Sequence, residues 1–342
     1  VIIGSSFTRF NARLNVDAEI LPWLKAGASL AFTHTDEVIT NNDGTDGVVL
    51  QALTMQPNVP VYDFDGNWAG PTTVNGASMW NPVWLAQMKS NDFKRNRSNG
   101  SFYLSLDPLE GLNIRTEYGF DYSDNNNRCF IPTYSFGLIS SNTNQIMQRD
   151  DHSLYWIWKT YANYNKTFAE RHNFGAMIGF EMSESTWNGT QIVKQNLSTD
   201  VIHIVTNDGD FVSNEGWKDS QTMVSAFARV NYNYDDRYYI TATIRGDASS
   251  KFGPNNKWGY FPSAALAWRI AGEPFFEPAR EVMNEFKLRV GYGMVGNSNI
   301  GSFLYSAKMT GITAGAGKDP GTAYFLSNIA NPDLKWEASE QY

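Results

Sequence analysis

Two short segments of this sequence have the residue types and spacing that could bind a ligand. The first, 63–67, reads Asp-Phe-Asp-Gly-Asn and carries the alternating oxygen donors of a calcium loop. An EF-hand loop needs glycine at its sixth place and glutamate at its twelfth, but here Gly66 is fourth and Val74 is twelfth. The segment is therefore predicted to be a tight turn between Val61-Tyr62 and Asn67-Trp68.

The second segment, Gly291 to Gly296, has the G-x-G-x-x-G spacing of dinucleotide-binding loops. That function requires a strand, a turn and a helix in succession. Here the glycines lie within and at the end of an alternating strand pattern, and no helix pattern follows. Glycines in such a place relieve crowding or allow a bend, so no nucleotide site is predicted.

Enzymatic and metal chemistry find little support elsewhere in the chain. Carboxylates are plentiful, but nothing singles out two of them as an acid–base pair, and no G-x-S-x-G motif or histidine-containing nucleophile motif occurs. Cys129 is the only cysteine, and the four histidines include no close pair. We predict no catalytic residue, no metal site and no cofactor.

Aromatic side chains in the predicted long loops are the remaining candidates for a binding site. Such rings suit sugar faces or apolar ligands, although they could equally pack the loops into a compact cap. The candidate substrate-binding residues are Trp68, Trp80, Trp84, Tyr134, Trp187 and Trp217.

Strict alternation of apolar and polar residues is the main signal for the elements that position these rings. In Phe10–Glu19 the even positions are mostly apolar and the odd positions polar. The same pattern predicts five hairpins, although Ile157 and Tyr161 fall on the polar side of theirs. The paired segments are Phe10–Glu19 with Leu24–Phe32, Ser101–Asp107 with Leu112–Tyr122, Leu154–Tyr164 with His172–Met182, Val224–Tyr234 with Tyr238–Asp247, and Tyr260–Ile270 with Phe286–Met294.

Length and composition place these strands in a membrane rather than in a soluble domain. The chain has 342 residues, 42% hydrophobic and 18% charged, with a mean hydropathy of -0.40. No apolar run reaches the roughly 18 residues of a transmembrane helix. The strands, however, have about the 9–11 residues that cross a bilayer when tilted, whereas soluble strands average about 5–6. The net charge of -8 argues against a nucleic-acid partner.

The links between strands and the placement of aromatic residues agree with a membrane barrel. Short turns are predicted near Pro22, Pro108, Lys166 and Asp236, with a longer one over 274–284. The alternate links, 35–94, 123–152, 183–221 and from 295 onward, are long, while 246–257 is intermediate. Outer-membrane barrels show this asymmetry, with the long links extracellular. Tyrosine and phenylalanine favour the strand ends, as in an aromatic girdle.

Charged residues concentrate on the odd-numbered face of the strands. One such charge on lipid at the bilayer midplane would cost roughly 2–4 kcal/mol, so this face is predicted to line a hydrated interior. Cross-strand pairing, or contact with material inside the barrel, is the simpler role for each of them. They are Arg13, Asp17, Arg115, Glu117, Glu181, Arg229, Arg245, Asp247, Lys287 and Arg289.

Several ordered motifs resemble the SusC/RagA family of TonB-dependent outer-membrane transporters. Asp247–Ser263 is similar to the family's D-x-S-S-x-F-G-x-x-N-x-W-G-Y-F-P-S, and Trp268-Arg269-Ile270 follows it. Leu288–Gly293 and Gly296–Gly301 look like L-R-x-S-Y-G and G-N-x-x-I-G, and 331–337 looks like N-P-x-L-K-W-E. Near the start, Phe10–Asn15 is similar to an early barrel strand. The resemblance covers nearly the whole chain.

The resemblance implies an all-β, transmembrane antiparallel β-barrel in the bacterial outer membrane, with short periplasmic turns and long extracellular loops. The expected whole is a barrel of about 22 strands with a plug domain. Residues 1–342 are expected to supply about 10–12 of those strands, with the plug domain and the C-terminal strands absent from this chain.

The family resemblance also implies a function and partners. It implies TonB-dependent import of oligosaccharides or peptides, with a SusD-like lipoprotein as lid, TonB contacted through a segment not in this chain, and outer-membrane lipid around the barrel. No bond would be made or broken. The alternatives are a siderophore or vitamin receptor, which shares the barrel but not these motifs, and a soluble all-β protein that binds or hydrolyses glycans.

Overall fold

A computed structural model describes residues 2–40, 47–72, 79–314 and 321–342 of the chain, so Val74 lies outside the described residues. The strands, in chain order, are β1 Ser6–Leu21, β2 Leu24–Val38, β3 Ser90–Leu109, β4 Leu112–Ile131, β5 Tyr134–Phe136, β6 Ile139–Ser141, β7 Gln145–Phe168, β8 His172–Gln195, β9 Asp210–Tyr234, β10 Tyr238–Ser249, β11 Trp258–Arg269, β12 Lys287–Asn297, β13 Lys308–Ala314, β14 Gly321–Asn328 and β15 Glu337–Gln341. The helices are α1 Val48–Thr54 and α2 Pro82–Met88. Neither helix is long or apolar enough to span a bilayer.

Eleven of these strands form one antiparallel sheet in which chain neighbours pair, in the order β1-β2-β3-β4-β7-β8-β9-β10-β11-β12-β15. All five predicted hairpins are present, and β15 is a further strand that pairs with β12. The other two sheets in the described residues are the small hairpins β5–β6 and β13–β14. No second large sheet stacks on the first within the described ranges, so these residues do not form a two-layer sandwich.

The two faces of the sheet differ as the alternation predicted. Odd-numbered residues pair with odd-numbered ones from strand to strand, so the ten predicted charges share one face, which we call the polar face. The opposite face, which we call the apolar face, carries large hydrophobic residues that are exposed. Ile178 is 65% exposed and Ile244 is 53% exposed, on either side of Ala228. Exposed aliphatic rows of this kind need lipid as their solvent.

Short turns join the strands at one end of the sheet. The β7–β8 and β9–β10 turns each contain two successive residues with positive φ, Ala169-Glu170 and Asp235-Asp236. Aspartate tolerates this left-handed region better than most residues do. The β11–β12 connection is longer, as predicted, and folds into two 3-10 turns between Ile270 and Ala279.

Aromatic rings collect beside these short turns on the apolar face. Tyr234 stacks on Tyr238 with 6.3 Å between ring centroids, and Tyr238 stacks on Trp268 at 6.4 Å. The Tyr238 hydroxyl and the Trp268 indole N–H both donate to Glu273, at 2.6 and 3.0 Å. This arrangement is the girdle expected at a membrane interface, where a ring has one apolar and one polar side.

The strands extend much farther at the opposite end than the sequence predicted. Residues 123–131, 183–195 and 210–221 had been assigned to long loops but belong to β4, β8 and β9. β9 has 25 residues, so it is roughly 80 Å long. Even at a tilt of about 45° this is roughly twice the hydrocarbon thickness. The 11-stranded sheet, which we call the wall, therefore extends well above the bilayer at β7–β9.

Buried hydrophobic side chains are few among the described residues, and most belong to two small clusters, because a single sheet has no interior between two layers. One cluster comprises Val48, Trp84, Leu85, Ala86 and Phe136. A second comprises Phe130, Ile146 and Leu197, with Val205 packed against it, so the link between β8 and β9 covers the apolar face of the sheet near its upper edge.

Candidate substrate-contact surface

The polar face contains a row of mostly polar residues that crosses the sheet, and several of their side chains contact one another. Its members lie in one row of cross-strand partners: Asp17, Gly27, Tyr103, Glu117, Lys159, Glu181, Ser225 and Asp247. Lys159 reaches Glu117 at 3.5 Å, and the Tyr103 hydroxyl donates to Asp17 at 2.6 Å. The predicted roles in cross-strand pairing are thus confirmed for part of the charged set.

Glycine makes such contacts possible where an aromatic ring lies flat on the wall. Tyr103 crosses directly over its partner Gly27 to reach Asp17, and a Cβ at Gly27 would be 2.2 Å from the Tyr103 ring. Phe227 lies over Gly179 in the same way, with 2.3 Å to an added Cβ. Rings that lie flat leave the space in front of the wall open.

Arginine covers three aromatic rings of the polar face, and each arginine is paired with a carboxylate two residues later on its own strand. The Arg115 guanidinium carbon lies 3.7 Å from the centre of the Tyr103 ring, and Arg115 pairs with Glu117. The Arg149 guanidinium carbon lies 4.7 Å from the centre of the Trp217 ring, and Arg149 pairs with Asp151. The Arg245 guanidinium carbon lies 5.5 Å from the centre of the Phe227 ring, and Arg245 pairs with Asp247. Each unit combines a cation–π contact with charge neutralisation.

The remaining predicted charges also lie on the polar face but make simpler contacts. The Arg229 Nε donates to Thr243 at 3.2 Å, and the Lys287 ammonium lies 3.5 Å from the centre of the Tyr239 ring. Arg289 is exposed.

Four of the six predicted loop aromatics come together in a cap. Trp80, Trp84 and Tyr134 have ring centroids within 4.9 to 5.5 Å of one another, and Trp68 packs at the edge of their cluster. Asn81 fixes the arrangement, because its side chain caps α2 at the Val83 and Trp84 N–H groups and donates to the carbonyls of two other loop residues.

The cap leaves a cavity of about 270 Å³ beside the sheet. Trp80, Trp84 and Tyr134 line it together with Ile131 and Gln145, which lie on the polar face. Trp84 is only 2% exposed and serves chiefly to pack the cap. Burial raises the pKa of the Tyr134 hydroxyl, so this ring stays neutral at physiological pH.

The segment that resembled a calcium loop is the predicted tight turn. Tyr62 and Trp68 form an antiparallel bridge, and Gly66 has φ +82°. The Asp63 carboxylate accepts from the backbone N–H groups of Asp65 and Asn67, at 3.0 and 2.8 Å. Its oxygens therefore serve the turn itself.

Trp187 and Trp217 correct the assignment to loops, because both lie on strands. Trp187 belongs to β8 and Trp217 to β9, and their rings are 5.4 Å apart on the polar face. Trp217 lies over its partner Gly189, where an added Cβ would be 2.6 Å from the ring. Trp187 remains 41% exposed, so its ring is accessible on the polar face.

Tyr155 is a residue that the sequence reasoning missed. It lies on the polar face of β7, partnered by Asp121 and Ser185, and is 41% exposed. The available signal was an odd-numbered aromatic residue on the strand that also carries Ile157 and Tyr161 on its polar face.

Comparison with known proteins identifies the family. The family described as "TonB dependent receptor-like, beta-barrel" matches residues 9–342, nearly the whole chain. The chain belongs to this family. It is therefore part of an outer-membrane β-barrel, and the polar face lines the lumen while the apolar face meets lipid.

Individual relatives agree with the family assignment. The chain is 29% identical to TonB-dependent receptor P39 of Formosa agariphila over 353 residues, and 26% identical to TonB-dependent receptor SusC of Bacteroides thetaiotaomicron over 365 residues. These alignments cover 100% and 98% of the chain but 32% and 35% of the relatives. The chain thus spans about a third of their length.

A solved structure supports the fold independently. The RagAB peptide transporter structure superposes with a TM-score of 0.80 at 23% sequence identity, over 98% of this chain and 38% of that one. The long strands that rise above the bilayer, and not only the membrane-crossing parts, are therefore included in a barrel of the TonB-dependent type.

Proposed function

We propose that the full-length protein imports oligosaccharides or peptides across the outer membrane, with a SusD-like surface lipoprotein as its partner and TonB as its energy source. The relatives named SusC and RagAB support this class of substrate. The observation that carries the proposal is the two-faced wall: a charged, hydrogen-bonded lumen face backed by an aliphatic face that requires lipid.

Within this function, Trp187 is the proposed substrate contact on the wall, supported by Trp217 behind it. An exposed indole on a hydrated wall can stack on a sugar ring or pack against a peptide side chain. Trp80, Tyr134 and Trp68 are proposed contacts in the cap, where they border the cavity. Trp84 is proposed to hold these rings in place. The protein binds and releases its substrate, and no covalent step is involved.

Deletion of the gene for the full-length protein tests the import function. Growth of the host on an oligosaccharide or a peptide mixture as sole carbon source should fail, while growth on a monosaccharide continues. A lipoprotein should co-purify with the intact transporter. Normal growth of the deletion strain on every oligomer, together with loss of an iron complex or vitamin, would instead establish a different receptor.

The contact at Trp187 has a matched control on the other face of the sheet. Trp258 is 49% exposed but lies on the apolar face, paired with Ala248. Trp187→Ala should weaken substrate binding by roughly tenfold, the value of a ring-stacking contact of about 1.4 kcal/mol. Trp258→Ala should leave binding unchanged. Equal affinities for the two variants, measured by titration of the purified complex, would remove Trp187 from the site.

A further inference from the structure

A second cavity lies on the lumen face, against β1 to β4 and β7, apart from the aromatic cap. Its volume is about 640 Å³, within the range of small-molecule sites. Neutral polar side chains dominate its lumen-facing wall: Asn11, Ser29, Thr33, Asn99 and Ser101. Arg9, Arg13, Asp121 and Tyr155 also line the cavity.

Arg9 and Arg13 differ in one respect from Arg115, Arg149 and Arg245, the arginines that pair with a carboxylate on their own strand. At Arg115, Arg149 and Arg245 the residue two places later is a carboxylate that pairs with the guanidinium. At Arg9 and Arg13 that residue is asparagine. A neutral amide replaces the anion, so these two positive charges are not compensated by their own strand.

The asparagines hold the two guanidinium groups in place without neutralising them. Asn11 Oδ1 accepts from Arg9 Nε at 2.9 Å and from the Thr33 hydroxyl at 3.0 Å. Asn15 Oδ1 accepts from Arg13 Nε at 3.4 Å and from the Ser29 hydroxyl at 2.7 Å. Among the described residues, neither arginine has another acceptor, so the terminal N–H groups remain available to a ligand.

The charge in the cavity favours an anion. Asp121 is the carboxylate that lines it, and Arg97 neutralises it through a bidentate pair with one contact of 2.8 Å. Arg9 and Arg13 therefore leave an excess of about two positive charges, in a chain whose overall charge is -8. Planar guanidinium groups bind carboxylate and sulfate oxygens in pairs.

We propose that this lumen cavity binds the carboxylate or sulfate groups of an acidic substrate through Arg9 and Arg13, and that the substrate is an acidic oligosaccharide. The surrounding hydroxyl and amide groups match sugar hydroxyls, and the half-exposed Tyr155 ring offers a surface on which a sugar can stack. An acidic peptide carries the same anionic group and is the other source of this chemistry. The inference rests on the proposed import function and names the substrate class within it.

The test compares three probes on the purified full-length transporter: tetra-galacturonate, neutral maltotetraose, and a tetra-aspartate peptide. The double variant Arg9→Gln/Arg13→Gln should weaken galacturonate binding at least about tenfold, since charge-assisted hydrogen bonds are lost. Maltotetraose binding should change less than about twofold. Arg229→Gln, on a distant part of the same face, should affect neither sugar.

A second variant tests whether binding depends on the uncompensated positive charge of Arg9 and Arg13, and it keeps both arginines. Asn11→Asp/Asn15→Asp installs the carboxylate that the other arginines already have, and it should weaken galacturonate binding as the arginine variant does. Heat-modifiable migration on a detergent gel establishes that each variant has formed its barrel.

The other possible outcomes contradict, in turn, the oligosaccharide assignment, the anion site and the import function. If only the aspartate peptide is bound in an arginine-dependent way, the oligosaccharide assignment is wrong. If neutral and acidic probes bind equally in wild type and variants, the anion site is wrong while import stands. If the host takes up no oligomer at all through this protein, the proposed function and the inference both fail.

Discussion

Replacing Gly27 with alanine should lower the free energy of unfolding of the barrel, by an amount that follows from the contacts of the Tyr103 ring. The added Cβ would be 2.2 Å from Tyr103 Cε1 and 2.5 Å from Asp17 Oδ1. The Tyr103 ring cannot move freely, because its hydroxyl donates a hydrogen bond to Asp17 and the Arg115 guanidinium covers its other face at 3.7 Å. Overpacking of this kind costs about 1–3 kcal/mol, and the exposed hydrogen bond to Asp17 adds no more than about 1 kcal/mol if it breaks.

A matched control and a rescue separate the clash from a general effect of alanine in a strand. At Gly293, on the same face, an added Cβ would meet Ser263 Cβ at an ordinary 3.5 Å. Gly293→Ala should therefore be neutral or slightly stabilising. In a Tyr103→Ala background the space over Gly27 is empty, so Gly27→Ala should no longer destabilise the barrel.

The assay is urea unfolding of the full-length barrel in detergent, followed by tryptophan fluorescence. The two substitutions at 27 and 103 should be strongly non-additive, because they act on one contact. If Gly27→Ala is as stable as Gly293→Ala, or if its cost persists without the Tyr103 ring, the description of flat rings over glycine is incorrect.

Three further predictions concern the lipid face, the outer loop and the cap. Ala228→Arg should hinder membrane assembly by roughly 2–4 kcal/mol, whereas Arg229→Ala should assemble normally; folding yields into lipid vesicles measure both. Burial alone would raise the pKa of Asp200, but hydrogen bonds from Thr133 and Asn144 together outweigh it and lower the pKa, so this stabilisation is complete above the ordinary carboxyl pKa of about 3.9 and is lost as pH falls through the lower folded value. The hydrogen-exchange protection factors of residues 197–208, which correct for the intrinsic slowing of exchange in acid, should fall below about pH 4, and Asp200→Asn should abolish that loss of protection. Trp84→Ala should loosen the cap by about 3–5 kcal/mol, seen as proteolysis of the long links while the barrel keeps its heat-modifiable migration.

Alternation predicted the strands well only where one face meets lipid. In Val224–Tyr234 the apolar face needs hydrophobic residues and the lumen face needs polar ones, so the period of two is clear. Residues 183–195 and 210–221 stand above the bilayer, where neither face of the sheet meets lipid. Nothing then requires alternation, and polar sequences of this kind look like loops although they are paired strand.

One exception to alternation on β7 has a local explanation. Ile157 lies on the lumen face opposite Gly119, and an added Cβ at Gly119 would be 3.2 Å from the Ile157 side chain. A large side chain is accommodated because its partner has none, and such cross-strand complementarity becomes visible only when the register is known.

The candidate site was predictable in part. Trp80, Trp84 and Tyr134 could be chosen as candidates from the sequence because they are aromatic residues in predicted loops. Their assembly into a cap agrees with the alternative prediction that such rings pack the loops together. The arginine cavity could not be found from sequence, because Arg13 comes to lie in one row with Asp121 only through the pairing of four strands.

Fluorescence quenching by lipid tests the central assignment of the two faces most directly. With Cys129 replaced by serine, single cysteines at positions 226 to 230 of the full-length barrel would be labelled one at a time and exposed to lipids with brominated chains. Labels at Ala226, Ala228 and Val230 should be quenched, whereas labels at Phe227 and Arg229 should respond only to a water-soluble quencher. Uniform quenching along the segment, or the reverse alternation, would contradict a wall with lipid on one side and water on the other.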